Sequence, residues 1–182
     1  QKVVKNKQYL HPSGRFFKKT EILQAYKELT GSEGWPAFSQ QFYDKLLMKP
    51  TRSISGVAPV TVLTKPYPCP GNCIFCPNDL RMPKSYLAEE PGAQRAEKNY
   101  FDPYLQVMSR LQALTAMGHS VDKVELIVLG GTWTAYPESY QLWFIKRCFE
   151  ALNDFTKRDQ SAKIVKNYEN FQKKYQKLKK KF

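Results

Sequence analysis

The 182-residue sequence predicts an α/β fold built on a parallel sheet or barrel. Three observations carry this. Two short apolar runs rich in β-branched residues, at 57–64 and 124–129, read as strands. Each is followed by a loop and then by a helical pattern, so the strand–loop–helix order occurs twice in succession. The composition, 42% hydrophobic and 25% charged, is that of a chain that folds and fits one domain of ordinary size.

The elements follow in order. Residues 1–18 read as a basic arm with a turn at His11-Pro-Ser-Gly14. Residues 19–30 read as a helix, with Ile22, Leu23, Tyr26 and Leu29 on one face and Gly31 as its stop. A second short helix is expected to open at Trp35-Pro36 and to run to about Leu47, before Lys49-Pro50. These make a small helical N-terminal unit, 1–50, joined to the rest by Thr51-Arg-Ser-Ile-Ser-Gly56. After the first strand and a cysteine loop at 66–79, residues 93–117 are helical with a break at Asp102-Pro103. Pro103 suits the first helical position after an Asp cap, and Leu105, Met108, Leu111, Leu114 and Thr115 supply the apolar stripe. The second strand is continuous enough to be buried on both faces. Gly130-Gly131 follows at once, and a helix then opens at Tyr136-Pro137 and runs through about Leu152. Residues 157–182 read as a long amphipathic helix with Ile164, Tyr168, Phe171, Tyr175, Leu178 and Phe182 as its seam.

The net charge of +13 is not evenly spread: residues 1–50 hold nine Lys/Arg against four acids, 157–182 ten against two, and 51–156 ten against ten. Two basic flanks around a neutral middle admit a polyanion partner such as nucleic acid, or simply solvated surfaces. The longest apolar run, 124–131, is well short of a membrane span, and the N-terminus lacks the apolar core of a signal peptide. The expectation is a chain that neither spans a membrane nor is secreted. It starts on Gln1 and ends within a helical pattern, so both ends are expected to be cut from a longer protein.

Three of the four cysteines fall within eight residues, Cys69-Pro-Gly-Asn-Cys73-Ile-Phe-Cys76, a C-x3-C-x2-C spacing. Three thiolates this close can converge on one centre as the loop wraps around it, and Pro70 and Gly71 provide the turn. A structural zinc site is normally closed by four ligands, and only His11 and His119, both far away in sequence, could complete one. Three thiolates with an open position suit a four-iron cluster; zinc and disulfides are the alternatives. Cys148 stands apart, on a helical face with Tyr140 and Phe144, and reads as core. In parallel α/β folds sites lie at the C-terminal ends of strands. The cysteine loop and Gly130-Gly131 both lie there, and the glycines let backbone approach a ligand.

The cysteine spacing, with Phe75 just before the last cysteine, resembles the motif of radical S-adenosylmethionine (SAM) enzymes. The glycine pair resembles that superfamily's GGE-type motif, with Thr132 in place of the Glu. Further blocks are similar to the Elongator protein 3 family, the catalytic subunits of Elongator. These are Thr51-Arg-Ser-Ile-Ser-Gly-Val57, Lys65-Pro66, Pro83-Lys-Ser-Tyr-Leu87, Glu90-Pro-Gly-Ala-Gln-Arg-Ala96 and Phe101-Asp-Pro-Tyr-Leu-Gln106. Leu129-Gly-Gly-Thr-Trp133, Pro137-Glu-Ser-Tyr140, Trp143-Phe144-Ile145 and Ala151-Leu-Asn153 continue the match, which is dense over 51–153 and loose over 1–50. The cysteine spacing is shorter than in many members of that family, but it fits the wider superfamily.

The resemblance implies an incomplete radical-SAM (TIM-like) parallel barrel over 51–156, preceded by the helical unit 1–50 and followed by the basic helix 157–182. It implies a [4Fe-4S] cluster on Cys69, Cys73 and Cys76, with SAM on the fourth iron and against Phe75, Gly130, Gly131 and Thr132. It implies a tRNA wobble-uridine modifying enzyme that pairs a radical domain with a GNAT-type acetyltransferase domain using acetyl-CoA. In that chemistry a 5'-deoxyadenosyl radical takes hydrogen from the acetyl methyl group, and the carbon radical adds to C5 of uridine. Binding of tRNA through basic surfaces points to Lys2, Lys5, Lys7, Arg15, Lys18 and Lys19. Cytoplasmic placement, and assembly as a homo-oligomer or with Elongator-type subunits, complete the implied picture. A chain ending after two β/α units would be inactive alone, and no catalytic residue is assigned. The competing readings are a zinc-containing basic RNA-binding module and a radical SAM enzyme acting on a small molecule.

Overall fold

The computed structural model describes residues 11–77 and 79–156. The arm residues before His11, including Lys2, Lys5 and Lys7, and the tail 157–182 lie outside the described residues. The elements are α1 (Lys19–Leu29), α2 (Gln40–Leu46), β1 (Ala58–Leu63), α3 (Pro91–Lys98), α4 (Pro103–Ala116), β2 (Val124–Leu129) and α5 (Glu138–Thr156). Short 3-10 turns stand at Pro50–Ser53 and Trp133–Ala135. β1 and β2 pair with each other. The Ala58 N–H donates to the Lys123 carbonyl and the Thr64 N–H to that of Leu129, so partners advance together along both strands and the pair is parallel. This is the mixed α/β arrangement expected. No helix among the described residues is long and apolar enough to cross a membrane.

The chain packs as two compact units. Among the described residues, one comprises 11–59 together with Gln112–Glu125. Its core is Leu23 and Tyr26 of α1 with Leu46 of α2, and Tyr43 packs against them. Ser39 caps α2 by accepting from the Phe42 N–H at 3.4 Å. This corrects the expected start at Trp35-Pro36: a serine whose oxygen satisfies an open helix N–H sets the boundary more strongly than the proline upstream. Gly118 (φ 94°) ends the α4 segment where a Cβ would meet Leu23 and Leu47 side-chain carbons at 2.8 and 2.9 Å, so only glycine lets the turn pack there.

Among the described residues, the other unit comprises Val60–Leu111 with 126–156. Leu63, Met82, Ala93 and Ala96 form one buried cluster, with Tyr86, Ala88, Phe101 and Leu129 around it. The helical break falls at Tyr100 and Phe101, both left-handed (φ 56° and 53°). Asp102 then caps α4 by accepting from the Leu105 N–H at 2.9 Å, as the Asp-Pro pair predicts. Leu105, Val107, Met108 and Leu111 face the core, as do Phe144, Cys148 and Ala151 of α5. The Tyr104 hydroxyl donates to Asp154 at 3.0 Å, and the Arg147 guanidinium lies over the Tyr104 ring, so α4 and α5 are also tied at their edge. On the outer edge of β1, the Gln106 amide makes two hydrogen bonds to Leu63. It accepts from the N–H at 2.9 Å and donates to the C=O at 2.8 Å.

β2 departs from expectation. It is not buried on both faces: Glu125 is exposed and its other residues are only partly covered. An apolar run states what a strand could bury, but burial depends on neighbours. Among the described residues β2 has β1 alone beside it.

Candidate cofactor site at the strand ends

The site is assembled from the two loops that leave the C-terminal ends of β1 and β2. Thr64, the residue after β1, is fully buried, and its side chain meets the second loop directly. Gly130 adopts φ 150°, and a Cβ built there would lie 2.0 Å from the Thr64 hydroxyl oxygen. Glycine is therefore required by space as well as by backbone conformation. The Tyr136 hydroxyl donates to the Lys65 carbonyl at 2.8 Å, which uses its one proton. The Thr64 hydroxyl, 2.8 Å away, must then donate to the Tyr136 oxygen. The Lys65 N–H donates to the Tyr140 hydroxyl at 3.0 Å. Burial pushes Tyr140 up to about 12 and raises Tyr136, so both remain neutral phenols. The exit of the first strand is thus fastened to the start of α5.

Around this anchor is an aromatic wall. Tyr136 stacks on Tyr140 at 5.0 Å and lies 4.8 Å from Tyr67, while Trp133 meets Phe144 edge-on at 5.6 Å. The Lys65 ammonium sits 4.7 Å over the Tyr140 ring. None of Thr64, Lys65, Tyr67, Tyr136 and Tyr140 stood out as a site residue in the sequence. The available cue was the i, i+4 tyrosine pair just after the glycine loop.

Cys69 and Thr132 bridge the two loops, with Sγ and Oγ1 3.3 Å apart. The Cys69 thiol is held below its ordinary value by the Thr132 hydroxyl first, then by the backbone N–H groups of Gly71 and Thr132, with Lys84 adding a favourable charge. Gly71 lies between two sulfurs: a Cβ there would stand 3.7 Å from both Cys69 Sγ and Cys73 Sγ. The Cys76 N–H donates to the Cys73 carbonyl at 3.1 Å and closes a turn at the third cysteine. All three cysteines are free and at least partly open to solvent, as is Thr132. Ile74 and Phe75 between them are 90% and 92% exposed.

The donor set decides whether the implied group fits. Among the described residues no three His, Cys, Asp or Glu side chains are gathered as one metal ion would need. A multi-iron cluster makes a different demand, one thiolate per iron around a larger body. The donors here are thiolates alone, which suits that group by donor chemistry, and Cys69 and Cys73 both stand beside Gly71. Both histidines are engaged elsewhere, His11 with Ser13 at 2.8 Å and His119 with Ser53 at 2.7 Å.

Cys148 is the core residue its helical register predicts. It is fully buried, and burial pushes its thiol up to about 12. Alkylation of the folded, metal-free protein should therefore modify Cys69, Cys73 and Cys76 while Cys148 reacts only on unfolding. Site-resolved mass spectrometry would detect the contrary result, native labelling of Cys148 as fast as of Cys73.

Of the predicted RNA-contacting residues within the described part, Lys18 and Lys19 are exposed. Arg15 is committed to a two-pronged ion pair with Glu21, at 2.9 and 2.6 Å. Its charge is locally offset, and the guanidinium holds the Glu21 carboxyl down to about 2.

No family model matches the chain. Individual relatives do. The chain is 50% identical over 115 residues, 60% of its length, to a tRNA uridine(34) acetyltransferase of Methanocaldococcus infernus. It is 44% identical over 133 residues, 69% of its length, to the tRNA uridine(34) acetyltransferase of Methanocaldococcus jannaschii. It is 42% identical over 132 residues, 66% of its length, to Elongator complex protein 3 of Homo sapiens. These matches cover 22%, 25% and 24% of the relatives, so the chain spans about a quarter of their length. With such identity over well more than half of its residues, the chain is a homologue of the tRNA uridine(34) acetyltransferases and Elongator complex protein 3.

Proposed function

We propose that this chain is the part of an Elongator-type tRNA uridine-34 modifying enzyme that holds a [4Fe-4S] cluster and SAM. The observation that carries the reading is the Cys69–Thr132 contact, which brings the cysteine loop and the glycine loop to one place at the ends of two parallel strands. Cys69, Cys73 and Cys76 would hold three irons and leave the fourth for SAM. A cluster held there would supply the one-electron reduction of SAM that opens radical chemistry. The chain's own residues do the holding. Gly130 and Gly131, packed on Thr64 and Lys84, would present their backbone to SAM, and exposed Phe75 would offer it an apolar face. The fastening of Lys65 and Thr64 to Tyr136 and Tyr140 fixes one loop against the other. A radical-SAM barrel would continue beyond β2, and acetyl-CoA would be handled by a GNAT-type domain in the full-length enzyme. tRNA would be held by basic surfaces that include Lys18 and Lys19. Cytoplasmic action and assembly with Elongator-type subunits or further copies belong to the same proposal.

The test is anaerobic reconstitution with iron and sulfide. The wild-type chain should turn brown and bind iron, and Cys73→Ala should lose the cluster absorbance while keeping tRNA affinity. That affinity should fall as salt rises, because phosphate contacts release counterions. A Cys73→Ala protein with undiminished iron would overturn the ligand assignment. A colourless zinc protein with intact tRNA binding would favour the RNA-binding module instead.

A further inference from the structure

We propose that Thr132 is a positioning residue for Cys69: its hydroxyl donates a hydrogen bond to the Cys69 sulfur and raises the reduction potential of a cluster held there. The inference rests on the cluster assignment above and deepens it. In the resemblance this position belongs to a Glu that contacts SAM. An ionised carboxylate only accepts hydrogen bonds and would face a thiolate with like charge. A threonine has one proton to give, and the sulfur 3.3 Å away is where it goes once Cys69 is a thiolate.

The loop is built to hold this contact. Gly130, at φ 150° and against the Thr64 oxygen, leaves no room for a side chain, so the path of the chain into Thr132 is fixed by the end of β1. Thr64 is itself held by Tyr136, and its N–H by the Leu129 carbonyl. On the other side, Gly131 passes within contact of Lys84, where a Cβ would stand 3.3 Å from the Lys84 Cβ. Across the two loops the Thr132 hydroxyl is the hydrogen-bond partner of the Cys69 sulfur, and it belongs to a side chain that substitution can remove. Hydrogen bonds to ligand sulfurs withdraw electron density from the metal centre, favour its reduced state and so raise its potential. The two remaining lone pairs of the Thr132 oxygen stay available to accept from an ammonium group, so the contact does not compete with SAM binding.

The experiment is an EPR-monitored redox titration of the reconstituted full chain, with iron counted for each protein. Thr132→Val keeps the shape and removes only the hydroxyl. It should bind iron as the wild type does, with the cluster midpoint shifted to lower potential, and Thr132→Ser should restore the wild-type midpoint. An unshifted midpoint in Thr132→Val at full iron content would overturn the proposal. If Thr132→Val does not hold iron, Thr132→Ser decides: a wild-type midpoint supports the hydroxyl's role, and loss of iron there too overturns it. Cys69→Ala separates the two levels. Undiminished iron in that protein would sink the cluster assignment, whereas an unshifted Thr132→Val beside an iron-free Cys69→Ala would sink only the role of Thr132.

Discussion

Gly130→Ala should destabilise the protein by about 2–6 kcal/mol and lower its capacity to load iron. Two costs combine. The backbone at φ 150° is one that residues with a Cβ rarely adopt, which costs roughly 1–3 kcal/mol. The new methyl would also lie 2.0 Å from the Thr64 oxygen, and overpacking of that kind costs about 1–3 kcal/mol more. Thr64 cannot swing aside cheaply. It is β-branched, fully buried, hydrogen-bonded to Tyr136 through its side chain and to Leu129 through its N–H. The strain must go into the backbone, and the backbone leads to Thr132 and Cys69. Thermal denaturation measures the first effect and iron content after reconstitution the second. Thr64→Ala in the Gly130→Ala background should recover part of the stability, because it removes the nearest oxygen and leaves the backbone term. Gly131→Ala is the control. Its Cβ would meet only Lys84, at 3.3 Å, and φ there is not left-handed, so the effect should be much smaller. A Gly130→Ala protein with the wild-type melting temperature would refute this account of the loop.

The α/β order was legible because its signals are local. Runs of Val, Ile and Leu bounded by Gly and Pro mark strands, and the i, i+4 register of Tyr140, Phe144 and Cys148 reports the buried face of α5. Placing both loops at strand C-termini was also enough to expect Cys69 and Thr132 near each other, although 63 residues separate them. What failed was what depends on a partner. The start of α2 depends on whether the Ser39 oxygen reaches the Phe42 N–H, a matter of loop geometry. The cover over β2 depends on how many strands stand beside it, and no run of apolar residues states that number. The roles of Thr64 and Tyr136 arise from a bond across 72 residues, and neither residue type announces it. Arg15 looked like a free cation in a basic arm until the fold turned it onto Glu21 at the first turn of α1.

Gln106→Leu should cost about 2–6 kcal/mol while preserving volume. The Gln106 amide faces Leu63 as a neighbouring strand would, one acceptor for the N–H and one donor for the C=O. Both residues are almost wholly buried, so leucine would strand two backbone groups away from water, at roughly 1–3 kcal/mol each. Sheet edges need such closure, and here a helix side chain supplies it. Gln106→Glu tests the donor half by itself. The ionised carboxylate of that variant could still accept from the Leu63 N–H, but it would repel the C=O that the amide satisfied. Protonation restores a donor, so the folded state should raise this carboxyl above its unfolded value of about 4.3. The stability it contributes is then fully present below that value and lost as pH rises through the folded-state value. Denaturant midpoints measured against pH should therefore show the variant regaining ground on the wild type on acidification, whereas Gln106→Leu stays low throughout. A Gln106→Leu midpoint equal to the wild type's would mean that the Leu63 backbone is satisfied some other way. The outer edge of β1 would then not be closed by α4.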